Sequence, residues 1–195
     1  MFGSMRTTVI GGMLAALLIT ASQPAHALQI SQEEFADTFK DGELELVLMG
    51  AALKRFQVLK AVAVGFYLEE GVEEDEILTP IPKRVEIAYL QNISRTELMA
   101  ETTEGLRDNL SADAFDGIQE DLKTFAGWMR DMEPGDRYAM TYRPGQGTEV
   151  RLNGVLQGTI ASDDFALGFF SIYVGAKPAD PRAKGKLLGR LEFNK

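Results

Sequence analysis

The chain has 195 residues with 29 acidic and 20 basic side chains, a formal charge of −9, and 45% of its residues are hydrophobic, the profile of one globular domain. An acidic chain whose basic residues do not cluster repels a phosphate backbone, which argues against nucleic acid as a partner. Cysteine is absent, and this excludes disulfides, thiol nucleophiles, Fe–S clusters and thiolate zinc sites.

Arg6, the apolar stretch from Val9 to Ala21 and the small-x-small triplet Ala25-His26-Ala27 have the anatomy of a secretory signal peptide. A membrane helix needs about 20 apolar residues, more than this stretch supplies, so cleavage after Ala27 is expected, leaving no stable membrane anchor. An uncleaved N-terminal anchor is the alternative. In either case the domain, residues 28–195, is expected in the periplasm or secreted. His26, the single histidine, would leave with the leader. A mature chain with neither His nor Cys lacks the usual general base at neutral pH, the Ser-His-Asp arrangement and most transition-metal sites. No metal and no cofactor are therefore expected.

Leu44, Leu46 and Leu48 alternate with Glu43, Glu45 and Val47, a period of two that predicts a half-buried strand. In the run that follows, Phe56, Val58, Val62, Val64, Phe66 and Leu68 take one face while Leu59, Ala61, Ala63 and Tyr67 take the other. That pattern predicts a central strand covered on both sides. Lys60 interrupts it, and its ammonium must snorkel, line a cleft or, as the favoured reading, pair with a carboxylate. Glu69 to Glu76 holds six carboxylates in eight residues. It could attract calcium but lacks the alternating ligands and glycine of an EF-hand loop, so a solvated loop is predicted. Pro80 and Pro82 punctuate a loop before a strand from Arg84 to Leu90.

Ser94 with Glu97 has capping-box spacing and predicts a helix of about 16 residues. Phe115, Ile118, Leu122, Phe125, Ala126 and Met129 recur at spacings of three and four, which predicts one face of a second helix and reads as core packing. Pro134-Gly135-Asp136 ends that helix. Strands from Arg137 to Arg143 and from Thr148 to Asn153 follow, joined through Pro144-Gly145-Gln146-Gly147, a hairpin turn that lacks the rest of a phosphate-binding fingerprint. Ser162-Asp163-Asp164 caps a third, very apolar helix that runs to about Val174. Strands, two helices, strands and a helix give an α+β order rather than regular βαβ units.

The segment Leu59-Lys60-Ala61-Val62-Ala63-Val64-Gly65-Phe66-Tyr67-Leu68-Glu69 resembles the signature strand of the chalcone isomerase-like family, approximately FK-x-x-x-x-G-x-YL, with Leu59 in place of Phe. Gly50-Ala51-Ala52-Leu53-Lys54 stands where that family tends to carry Gly-x-Gly-x-Arg. Asn153-Gly154, Asp164-Phe165, Ser171-Ile172-Tyr173-Val174-Gly175 and Leu187-Leu188-Gly189 are similar to its later landmarks, in the same order. The resemblance implies an open-faced β-sandwich, an antiparallel sheet with helices packed on one side and a cleft between the layers. It also implies a choice of roles, since the family includes plant enzymes that close chalcones to flavanones, plastid fatty-acid binders and exported bacterial members without an assigned role. Fold alone does not choose among them.

By that resemblance the arginine that faces a developing oxyanion in the enzymes is Lys54 here, with Arg55 beside it. A one-residue shift that put Arg55 in register would also turn it to the opposite face of the strand. The position that is threonine in the enzymes and tyrosine in the fatty-acid binders is Val62, which can neither hold a water nor donate to a carboxylate. A tyrosine near the start of the first long helix corresponds to Arg95, and a later asparagine to Thr102. Lys54, Arg55, Val62, Arg95 and Thr102 are thus the candidate ligand-binding residues, with no catalytic residue among them. Cations converging on one end of an apolar cleft could hold a carboxylate while its walls hold a chain. The competing reading makes the three cations solvated surface charges.

The leading expectation is an exported, non-enzymatic domain that binds a small amphipathic acid such as a fatty acid. Two other classes stay open: a structural or protein-interaction domain whose cleft has collapsed, its partner unknown, and an isomerase or lyase that uses Lys54.

Overall fold

The computed structural model describes residues 27–56 and 60–189. Of the expected leader, residues 1–27, all but Ala27 lies outside them, as do Leu59 and the side chains of residues 56–61, and with these the pairing expected of Lys60. Three short strands open the described residues, β1 (Ala27–Ile30), β2 (Glu33–Ala36) and β3 (Thr38–Asp41). β4 (Leu44–Phe56) and β5 (Lys60–Leu68) follow as a long antiparallel pair. The apolar run from Phe56 to Leu68 is therefore not one strand. Phe56 ends β4 and pairs with Lys60 at the start of β5, so the chain reverses inside the run.

β6 (Lys83–Tyr89), β7 (Arg137–Arg143), β8 (Gly147–Leu152) and β9 (Val155–Ile160) complete the sheet. Strands β3 to β9 lie in chain order in one seven-stranded antiparallel meander, while β1 and β2 form a separate hairpin. β9 is an element the hydrophobic pattern does not announce. Its signal is the turn before it, where Leu152 pairs with Val155 around Asn153 and Gly154, both at positive φ (50° and 80°). An Asn-Gly pair tolerates that conformation and closes a two-residue hairpin.

Helices cover one face. α1 (Arg95–Asn109) begins with the expected capping box: the Ser94 hydroxyl accepts from the Glu97 N–H at 3.2 Å and Glu97 accepts from the Ser94 N–H at 2.8 Å. The second predicted helix is two. α2 (Ala112–Gly117), capped by Ser111, gives way at Ile118 to α3 (Gln119–Trp128). Ile118 leaves helical geometry at φ −98° and ψ 11°, yet the stripe Phe115, Ile118, Leu122, Phe125 stays buried across the break. α4 (Asp163–Val174) starts on the Ser162 cap as expected, and α5 (Pro181–Leu187) is a further short helix, with Asp180 as its cap and Pro181 at its first position. In the acidic loop, Glu74–Glu76 form a single 3-10 turn.

β5 is buried on both faces, as its pattern predicts. Val62, Val64, Phe66 and Leu68 join the main core beneath the helices, while Ala63 and Tyr67 join a smaller cluster on the other face with Phe35, Leu46, Leu48 and Ala51. The β1–β2 hairpin covers that second cluster. It is held there by Arg137, whose guanidinium donates to Glu33 at 2.7 Å and to Glu86 at 2.5 Å and lies 5.0 Å from the Phe35 ring centre. The result is α+β, a curled antiparallel sheet with helices on one side.

A cleft between sheet and helices

β4 carries a bulge where its pairing with β5 shifts between Leu48 and Gly50. Before it, Leu46 and Leu48 point to the cluster under the hairpin; after it, Ala51 points there while Ala52 and Lys54 point to the helices. One extra residue in a strand exchanges the faces of everything beyond it. The bulge thus decides which of two adjacent cations enters the layer between sheet and helices, and it selects Lys54. Arg55 is exposed on the other side, and its backbone N–H donates to Asp180 Oδ2 at 3.2 Å.

Lys54, Val62 and Tyr89 form a row across β4, β5 and β6, since Lys54 pairs with Val62 and Val62 with Tyr89. Thr102 and Glu101 of α1, Phe125 of α3, and Phe169 and Tyr173 of α4 close the cleft from above. Three of the five residues singled out from the sequence, Lys54, Val62 and Thr102, therefore meet in one cleft. Arg95 does not join them. It lies exposed at the start of α1, where Nε and a terminal nitrogen donate to the Ala126 carbonyl at 3.1 and 2.8 Å and its N–H donates to Asp131 at 2.7 Å. The guanidinium adds two hydrogen bonds to a carbonyl near the C-terminal end of α3 that also accepts the Met129 N–H at 3.3 Å, and these bonds hold it away from the cleft.

The Lys54 side chain is 6% exposed and its ammonium donates to Glu101 Oε1, whose side chain is 24% exposed. Nζ also lies 6.0 Å from the Tyr173 ring centre. Burial pushes the phenols of Tyr89 and Tyr173 well above their usual range, and the Glu101 carboxylate adds to the shift in both. Tyr138 is pushed up to about 12, again chiefly by burial, and its hydroxyl donates to the Trp128 carbonyl at 2.6 Å. All three are neutral donors at physiological pH. The helix side is a cluster of rings, with Phe125 and Phe169 centred 5.6 Å apart and Phe169 and Tyr173 5.7 Å apart. The free volume left is about 40 Å³, room for about two or three waters.

Sequence reasoning missed Glu101, Tyr89 and Tyr138. Glu101 had a legible signal, because Leu98, Glu101 and Thr102 share one face of a helix at i, i+3 and i+4. The two tyrosines come from strands remote in sequence, β6 and β7, and nothing local marks them.

The chalcone isomerase-like family matches residues 27–189. The chain belongs to that family. Among solved structures it resembles a fatty-acid binding protein of Arabidopsis thaliana, at 16% identity, a TM-score of 0.66, and coverage of 85% of this chain and 97% of that one. At that identity the likeness establishes the chalcone isomerase-like fold. A search of curated proteins gave no match.

Proposed function

We propose that this chalcone isomerase-like protein is a non-catalytic domain that binds a small amphipathic acid, such as a fatty acid. The observation that carries the reading is Lys54, an almost fully buried side chain lining a cleft walled mostly by aromatic and aliphatic side chains. A buried cation next to an apolar cavity is the arrangement that orients an acid headgroup and shelters its chain. The fold shared with a protein named for fatty-acid binding supports the same reading. Against catalysis stand Val62, which offers no hydrogen bond in register with Lys54, and an ammonium already neutralised by Glu101.

The test is to purify the domain, denature it and search the organic extract by mass spectrometry, then titrate the empty protein with octanoate and dodecanoate. A stoichiometric acid, or saturable uptake of either probe, supports the reading. An empty extract with no uptake rejects it and favours the second reading, an interaction domain with a collapsed cleft, which the small free volume of about 40 Å³ favours.

We further propose that the domain is exported, with cleavage after Ala27. The scissile bond would lie at the start of β1, where Ala27 pairs with Ala36. No helix among the described residues is long and apolar enough to cross a membrane. N-terminal sequencing of protein recovered from an export-competent host should begin at Leu28; a chain that begins at Met1 rejects the cleavage.

A further inference from the structure

We infer that Glu101 is a built-in competitor of the ligand's headgroup, so that the cleft takes up one proton with each carboxylate it binds. This rests on the acid-binding reading above and gives it a control.

The Lys54 ammonium is the cation among the residues lining the cleft, and a carboxylate of the protein already holds it. The Lys54–Glu101 pair therefore brings no net charge to a headgroup. A ligand carboxylate arriving there puts two negative groups on one ammonium in a site with little water, and like charges so placed drive one of them to protonate. The surroundings do not relieve the excess. Lys54 reaches from β4, Tyr89 from β6, Tyr138 from β7 and Tyr173 from α4, and the three phenols stay neutral donors. Asp180, the cap of α5, also feels Lys54, and its carboxyl is held below the usual range by three backbone N–H groups although burial opposes this. On α1 itself Glu97 is bonded to Ser94, and Arg107 lies 5.0 Å from the Phe115 ring centre. The Arg95 guanidinium, which could have supplied a second positive charge, is bonded to Ala126 instead.

Leu98, Glu101 and Thr102 form the α1 wall of the cleft, and α1 packs along α4. Glu101 thus stays beside the incoming headgroup, and a proton shared between the two carboxylates restores neutrality. A ligand with a neutral head, such as an alcohol of the same chain length, makes no such demand. The structure therefore assigns Glu101 the part of a specificity and pH-setting residue. Acids are held weakly where both carboxyls stay ionised and tightly where one proton is available, as on moving from neutral to mildly acidic surroundings.

The experiment is isothermal titration of the full mature domain with octanoate and with octanol between pH 6 and 8, a window in which a free carboxylic acid and a free glutamate stay ionised. Each titration is run in two buffers of different ionisation enthalpy, which counts protons without any substitution. The expected result is uptake of about one proton per octanoate and an affinity that falls about tenfold per pH unit, as linkage requires for one proton. Octanol should show neither. Glu101→Gln should abolish the uptake and the slope and bind octanoate about tenfold more tightly at pH 7.5. Octanoate binding with no proton uptake and no slope overturns the inference and leaves the acid-binding reading standing. Failure of octanoate to bind at any pH in the window, whatever octanol does, overturns both.

Discussion

Replacing Lys54 by methionine separates charge from packing in the cleft, because the two side chains have similar volume and only the ammonium is lost. A charge-assisted hydrogen bond contributes about 1.5–3 kcal/mol. In this protein the acid must share the same ammonium with Glu101, so the net loss in binding should be smaller, about 1–2 kcal/mol, or about five- to thirtyfold in Kd. Octanol, which does not use the charge, should bind the variant as it binds the native protein. The fold should survive. The Glu101 side chain is 24% exposed and keeps part of its hydration where it stands once its partner is gone, so stability should fall by about 1 kcal/mol, not the about 3–5 kcal/mol seen when a wholly buried charge is stranded. Calorimetric titration with both ligands and urea unfolding followed by circular dichroism measure the two effects. Unchanged octanoate affinity, or equal weakening of octanoate and octanol, would refute the assignment of Lys54 as the headgroup anchor.

Arg95→Ala should leave octanoate binding unchanged and cost about 1 kcal/mol of stability through the two hydrogen bonds to Ala126 that are lost; weakened binding in a normally folded variant would place Arg95 in the site after all. A Cβ at Gly65 would lie 2.5 Å from Cδ1 of the fully buried Phe35, so Gly65→Ala should destabilise by about 1–3 kcal/mol, with partial recovery in Gly65→Ala/Phe35→Leu; additive losses in urea unfolding would show that the hairpin does not press on Gly65. The pH dependence of stability has two limbs. Burial lowers Lys83 from 10.5 to about 8, with Asp163 partly opposing it, so the unfolded chain binds more protons between about 8 and 10.5 and stability rises with pH there, a slope that Lys83→Met should flatten. Tyr67, Tyr89, Tyr138, Tyr142 and Tyr173, all five tyrosines of the chain, are raised above 10, chiefly by burial. Their contribution is present below pH 10 and is lost as pH climbs through the folded values. Absorbance of phenolate should therefore appear together with unfolding, and phenolate at pH 10 in a protein with native circular dichroism would contradict the burial argument.

Much of this architecture is local physics. The Ser94–Glu97 box and the Ser162 cap fix where α1 and α4 begin because they satisfy N–H groups within their own first turns. The doubly apolar β5 announces a strand covered on both faces, and the order of elements announces α+β. Where the sequence misleads, a nonlocal partner or a turn overrides the pattern. The Phe56–Leu68 run keeps a strand's period across a reversal, and the stripe from Phe115 to Met129 keeps a helix's period across the break at Ile118, because periodicity reports burial and not chain direction. β9 has Val155 and Leu156 exposed at the sheet edge, so it shows no apolar face to read.

The site divides the same way. Sequence by itself determined that no cysteine is present and, through the family resemblance, put Lys54, Arg55, Val62, Arg95 and Thr102 forward as the candidates. Only the tertiary structure decided between Lys54 and Arg55, because the β4 bulge shifts the side-chain phase by one residue and a phase shift leaves no trace in composition. Only the packing of α1 on the sheet decided that the selected ammonium already holds Glu101 from 47 residues away. A contact between distant segments is fixed by the whole core, and no local pattern encodes it.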